Sequence, residues 1–355
     1  MDVRSMTKRE LSEYIEANRD APDPALLSEA AGLRDEYYGR RIFVRGLIEF
    51  TNCCRNNCLY CGIRSANRGI NRYRLTKEEI LECVKEGRRL GLGTFVLQGG
   101  EDAHYTDDVL CGIIRSIKEY APDCAVTLSV GERSYESYKR LKDAGADRYL
   151  LRHETADKAH YGLLHPKEMS FGNRVRCLYD LRSLGYQVGA GFMVGSPYQT
   201  SETLAEDLLF LKRLEPHMVG IGPFIPQAAT PFGDKRGGTL GLTLTMLALT
   251  RLMLPRTLIP ATTALGTIDS RGREKGFGAG ANVVMPNLSP RERRGDYALY
   301  DNKLCTGAEA AESIDQLRAL IEDAGYTMDT GRGDSLVEAV RSDRKGKDKV
   351  YEYKQ

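Results

Sequence analysis

The chain has 355 residues, a formal net charge of +2 and a sequence pI of about 8.0. That balance, without a large basic block, argues against a nucleic-acid partner, and no apolar run reaches the ~18 residues of a membrane span; the best run, at 244–254, is broken by Arg251. Nine cysteines, three clustered and the rest scattered, do not make a disulfide framework, and Met1, Asp2, Val3 and Arg4 offer no apolar signal core, so the expectation is a reduced, cytoplasmic protein.

Residues 1–40 read as an N-terminal helical extension. Thr7 and Glu10 have capping-box spacing, Asp23 and Pro24 form a cap with a first-turn proline, and Gly39 stops the second helix. Residues 42–50, rich in β-branched and aromatic side chains, read as the first strand. From there the chain alternates. Strands are expected at 94–98, 125–130, 148–152, 187–194, 218–222, 258–262 and 282–285. Helices are expected at 76–90, 106–120, 134–144, 173–184, 201–214, 244–254 and 308–324, with a long loop before 173. About eight βα units imply a parallel sheet with right-handed crossovers. The expected fold is therefore α/β, a (β/α)8 TIM-type barrel over 41–305, followed by a C-terminal helix and charged tail over 306–355. An open doubly wound sheet is the alternative, weakened because no GxGxxG opens a helix after the first strand. The glycine-rich stretch 233–241 reads as a loop at the barrel mouth, and the mixed-charge run 341–349 as a solvated tail.

The first strand delivers the loop TNCCRNNCLYCG at 51–62. Its spacing, Cys54-x3-Cys58-x2-Cys61, puts three thiolates in one short segment. Thiolates select iron–sulfur clusters, zinc or copper(I). Full ligation of a 4Fe-4S cluster takes four cysteines, so three imply a cluster with one iron open to a ligand. A zinc knuckle would show a second paired half, and none is present. Cys53 is expected to point away and pack. With Tyr60 ahead of the last cysteine, the pattern resembles the signature of the radical S-adenosylmethionine (SAM) enzymes.

In α/β barrels the chemistry sits at the C-terminal ends of the strands. The second strand ends in Gln98, Gly99, Gly100, Glu101; paired glycines admit close backbone approach, and this segment resembles the one that holds the SAM amino group. The third ends at Ser129. The fourth ends in Arg152-His153-Glu154, where alternation puts Arg152 and Glu154 on one face and His153 on the other. These charges need a partner, either each other or a ligand. Arg174, in the next helix, suits a carboxylate through its planar fork. Later strand ends bring Met193, Phe224, Thr262, Thr263 and Ala264, whose small and apolar side chains suit a mostly apolar ligand site.

The segments RHETAD (152–157), MVGSPYQT (193–200), VGIGPFIP (219–226), IPATTALGT (259–267) and GANVVMPNLSP (280–290) resemble the HydE-type FeFe-hydrogenase maturases, in the biotin-synthase-like group of radical SAM enzymes. The resemblance spans about 43–305. It implies a SAM-cleaving 4Fe-4S cluster on Cys54, Cys58 and Cys61. SAM contacts would come from Tyr60, Gln98, Gly99, Gly100, Glu101, Ser129, Arg152, Glu154, Arg174 and Met193. The substrate cavity would be lined by Thr262, Thr263, Ala264, Phe224 and Tyr297. It further implies a reduced electron-donor protein, other hydrogenase maturases as partners, and a small organometallic or amino-acid-derived substrate, such as a cysteine-bound iron carbonyl–cyanide complex. The chain departs from the family in three ways. Only Cys305 falls where some members hold a second cluster with three cysteines, Gln227 stands where many have histidine, and Phe192 where many have a small residue. A 3-methylornithine synthase-like or other biotin-synthase-like radical SAM activity and a non-catalytic iron–sulfur carrier are the rival readings.

Overall fold

The computed structural model describes residues 2–305 and 311–338. Two helices open the chain, α1 (Lys8–Ala17) and α2 (Pro24–Tyr38). Thr7 and Glu10 close the capping box at the start of α1, and the Ala25 N–H donates to Asp23 at 2.8 Å at the start of α2. There follow β1 (Arg41–Val44), β2 (Gly46–Thr51), α3 (Lys77–Arg89), β3 (Thr94–Gly99), α4 (Asp107–Tyr120), β4 (Ala125–Ser129), α5 (Tyr135–Asp143) and β5 (Arg148–Leu150). Then come α6 (Lys158–Leu164), α7 (Phe171–Ser183), β6 (Gln187–Ala190), β7 (Met193–Val194), α8 (Ser201–Leu214), β8 (Met218–Val219) and β9 (Gly222–Pro223). The chain continues through α9 (Leu240–Met253), α10 (Thr263–Ile268), α11 (Gly272–Gly278), β10 (Val283–Val284), α12 (Arg291–Arg294), α13 (Ile314–Asp323) and β11 (Thr327–Asp329).

Strands β2, β3, β4, β5, β6 and β8 pair in that order, all parallel. Parallel bridges Met218–Leu258, Pro260–Val283 and Leu47–Asn287 carry the ring back to β2, so the sheet closes into the α/β barrel. Helices cover it outside; α4, for instance, buries Leu110, Ile113, Ile114 and Ile117, each worth roughly 1.5–3 kcal/mol relative to exposure. The extension is fastened to the barrel: α1 packs on α8 and α2 on α9, and the buried Arg34 guanidinium donates to the carbonyls of Phe277 and Ala281 at 3.1 and 2.9 Å.

Several expected strands are broken, for local reasons. The strand over 42–50 divides at Arg45: β1 pairs with β10 and β11, whereas β2 pairs with β3. The strands over 187–194 and 218–222 divide where Gly191 crosses Gly220, a Cβ on Gly191 falling 2.0 Å from the Gly220 oxygen. Their outer halves, β7 and β9, pair separately and widen the mouth. The strand expected at 258–262 makes only two bridges: Pro260 has no N–H to donate, and Thr262 directly precedes α10. Helices α6, α10, α11 and α12 and strand β11 are additional to the expected elements, α13 begins inside the expected helix 308–324, and residues 306–310 lie outside the described residues. Among the described residues no helix is long and apolar enough to cross a membrane.

Candidate active site

The cysteine loop leaves the C-terminal end of β2 and is tied down at several points. Asn52 donates to the carbonyls of Asn71 and Asp296, both at 2.7 Å, and accepts from the Tyr73 N–H at 2.8 Å. The Arg72 guanidinium donates to four carbonyls, those of Asn52, Ile63, Arg64 and Asn67. The Gly62 N–H donates to Leu299 at 2.8 Å, joining the loop to residues 297–303. Cys53 turns out of the site, its sulfur 3.8 Å from the Tyr73 carbonyl.

Cys54, Cys58 and Cys61 face one cavity of about 390 Å³. Burial raises all three thiols, Cys61 to about 12, with the neighbouring cysteines adding to the rise at Cys58 and Cys61. Such thiols ionise when a metal takes the proton's place. Among the described residues no three His, Cys, Asp or Glu side chains could hold a single metal ion. A lone zinc draws its sulfurs to within ~4 Å of each other, whereas a cluster takes one thiolate on each of three irons. Three thiols lining one cavity fit a cluster held by three thiolates with one iron left open.

Gly100 gives a second sign of fit. A Cβ there would stand 2.3 Å from the Cys53 oxygen and 2.6 Å from the Cys54 Cβ, so the end of β3 slides directly behind the cysteine loop, with the backbone of Gly99 and Gly100 along the cavity wall. Glu101 is committed to structure as well as lining: it pairs with Arg55 at 2.9 Å and accepts the Glu132 N–H at 2.9 Å. Gln98 donates to the Tyr297 hydroxyl at 3.4 Å, and Ser129 lies on the same wall.

Arg152 and Glu154 both face the cavity, while His153 is fully buried against Asp207 at 3.2 Å. Burial lowers His153 and raises Asp207, disfavouring the charged form of each; His153 Nδ1 accepts the Gly191 N–H at 3.3 Å, so Nε2 carries the proton and donates to Asp207. Glu154 has φ +66°, a left-handed conformation that costs a non-glycine residue about 1–3 kcal/mol. Its amide donates to Gly191 at 3.0 Å, which holds it there. Arg152 Nη2 and Glu154 Oε2 stand 3.1 Å apart, yet their geometry makes no hydrogen bond, and Arg152 Nε is also buried without a partner. Coulomb attraction holds the two together while their donors and acceptor stay open to a ligand. Arg174 donates to the Arg152 carbonyl at 2.6 Å and to Glu132 at 2.5 Å. Burial disfavours its charge, but the Glu132 carboxylate beside it offsets that.

Tyr60 contacts His165 with its ring centroid 5.5 Å away and its hydroxyl 3.2 Å from Nε2. His165 Nδ1 faces the Tyr161 carbonyl at 2.9 Å and so carries the proton. Nε2 then accepts from Tyr60, and burial keeps the imidazole neutral, with a pKa of about 3. Met193, Phe224, Thr262, Thr263, Ala264 and Tyr297 complete the walls. Phe192 is fully buried and tilted against His153, outside the lining. The structure also brings in residues that the sequence reading passed over. Glu49 and Lys303 form an ion pair at the cavity wall, braced by Asn287 on Glu49 Oε2 at 2.7 Å and by the Tyr297 carbonyl on Lys303 at 3.0 Å. Glu49 had a signal: a carboxylate between Ile48 and Phe50 in an otherwise apolar strand needs a buried partner. Lys303 had none.

Residues 48–211 match the radical SAM superfamily. The chain is 46% identical to the FeFe hydrogenase maturase subunit HydE of Thermotoga maritima, over 91% of this chain and 92% of that one. It is 32% identical to 3-methylornithine synthase of Methanosarcina barkeri over 85% and 83% of the two chains. Among solved structures it is similar to methylornithine synthase PylB, with a TM-score of 0.81 and 27% identity over 92% of this chain and 96% of that one. On this extent of identity the chain belongs to the HydE family of FeFe-hydrogenase maturases, radical SAM enzymes that use a 4Fe-4S cluster and SAM.

Proposed function

We propose that this chain performs a radical step in assembling the two-iron subcluster of an FeFe hydrogenase, in the cytoplasm, on a small cysteine-bound iron carbonyl–cyanide complex. Another maturase supplies that complex, and a reduced protein donates the electron. The observation that carries the reading is a single cavity of about 390 Å³ lined by three thiols, by the polar Arg152, Glu154 and Arg174, and by Phe224, Thr262, Thr263, Ala264 and Tyr297.

When bound, the cluster and SAM supply one-electron cleavage of the sulfonium to methionine and a 5′-deoxyadenosyl radical. The protein binds, orients and excludes water. Cys54, Cys58 and Cys61 hold the cluster. The Gly99 and Gly100 carbonyls take the SAM ammonium, and Arg174 or Arg152 its carboxylate. Glu154 accepts from the ribose hydroxyls, and Tyr60, Ser129 and Met193 bound the nucleoside. Lys303 and Glu49 sit beside Tyr297 and Gln98, a second polar station on the substrate's side.

The test is anaerobic turnover of reconstituted protein with SAM and reductant, with and without the iron complex of cysteine. Deoxyadenosine that rises with the complex supports the reading. A rise with a free amino acid instead would favour the 3-methylornithine-synthase reading, which rests on the 32% identity to that enzyme. A protein that holds iron yet makes no deoxyadenosine would be a carrier.

A further inference from the structure

Helix α8 buries Leu204, Leu208 and Leu211, and one carboxylate, Asp207, is fully buried with them. A carboxyl group taken out of water needs hydrogen bonds to stay there. Asp207 Oδ1 accepts from the Ala156 N–H at 2.6 Å and from His153 Nε2 at 3.2 Å. These partners stand on either side of Glu154, one immediately before it and one beyond it. The His153 ring carries the grip further, since its Nδ1 accepts the Gly191 N–H at 3.3 Å. The Gly191 carbonyl in turn accepts the Glu154 N–H at 3.0 Å, and the Glu154 carbonyl accepts the Met193 N–H at 3.4 Å.

The backbone held in this way is the strained one. Glu154 has φ +66°, and a non-glycine residue persists there only where its surroundings over-determine it. Relaxation of that backbone would re-aim the Glu154 side chain, which lines the cavity beside Arg152 and keeps a buried oxygen without a hydrogen-bond partner among the described residues. No residue of α8 lines the cavity itself, so Asp207 acts only through the backbone that it grips. We propose that Asp207 is a positioning residue for SAM: through His153 and Ala156 it fixes the left-handed turn that aims Glu154 into the cavity. The inference rests on the reading of Glu154 as a SAM contact and adds to it the group that sets its position.

Anaerobic calorimetric titration of SAM into the full-length, cluster-loaded protein tests it. Asp207→Leu keeps the bulk and removes the accepting oxygen, whereas Asp207→Asn keeps that oxygen. The expected result is a roughly tenfold loss of SAM affinity in Asp207→Leu, the scale of coupling within one hydrogen-bond network, with near wild-type affinity in Asp207→Asn. The loss should vanish when Glu154 is already alanine. Wild-type affinity in a folded Asp207→Leu, or an equal loss in the Glu154→Ala background, would overturn the proposal. Unchanged affinity in Glu154→Ala alone would instead remove Glu154 from the SAM contacts, and the proposal with it. Hydrogen exchange on the unaltered, SAM-free protein gives a reading that needs no variant to fold. Slow exchange of the Glu154, Ala156 and Gly191 amides is expected. Fast exchange that slows only when SAM is added would show that the ligand, and not Asp207, sets the turn.

Discussion

Cys58 shows how the residue scale works. Its thiol is raised by burial and by its neighbours Cys61 and Cys54, while Arg174 pulls the other way, so its environment makes sense around a bound metal and little sense around a free thiolate. Replacing Cys58 with alanine should abolish 4Fe-4S absorbance and all SAM cleavage; a reconstituted variant that still produced 5′-deoxyadenosine would remove Cys58 from the ligand set. Glu154 offers a finer test. Its ion pair with Arg152 exists without ligand, but the missing hydrogen bond leaves its oxygen open. Glu154→Gln should weaken SAM binding by roughly 1–3 kcal/mol, the scale of a charged hydrogen bond, and hardly move the melting temperature of SAM-free protein. Calorimetric titration beside a melt decides, since a purely structural pair would give the reverse. These residues were legible because their types are scarce at strand ends. Arg152 and Glu154 keep a common side even though regular β5 stops at Leu150, because Glu154 and Phe192 continue the pairing by a bridge. Lys303 was not legible: nothing local distinguishes a lysine whose partner lies 254 positions away.

The elements were legible wherever caps and periodicity agree. Thr7, Thr76, Thr106 and Ser134 each cap a helix expected from the sequence. What failed was strand continuity, and glycine contacts explain it, since a close approach such as Gly191 to Gly220 depends on a neighbouring stave and leaves no mark within one strand. The same logic makes the end of β3 sensitive. In Gly100→Ala the new methyl has only backbone and the Cys54 Cβ to push against, so the loop itself must shift, at about 1–3 kcal/mol. We expect lower iron content after reconstitution with secondary structure intact. Full iron loading in that variant would mean that the cysteine loop and β3 are less tightly coupled than their contact implies.

At the scale of the whole molecule, the barrel was readable from its alternation, but its floor was not. β11 and the strap through 338 close the end opposite the site, and they engage Arg45 and Arg148 through residues far along the chain. His217 in that floor carries a pH signature. Burial, with Arg182 and Arg148, lowers it to about 4. A depressed histidine binds its proton more readily unfolded, so its contribution is present above about pH 6.5 and is lost as pH falls toward 4. His217→Gln keeps an acceptor that does not titrate. Between pH 7.5 and 5.5 wild type should lose roughly 1 kcal/mol relative to that variant, read from urea midpoints; parallel profiles would show that His217 is not held neutral. For the molecule as an enzyme, the most direct measurement is the yield of 5′-deoxyadenosine from SAM by reconstituted, reduced protein. The structure predicts deoxyadenosine and methionine in equal amounts, dependent on Cys54, Cys58 and Cys61 together. Full iron loading with SAM left intact would contradict it.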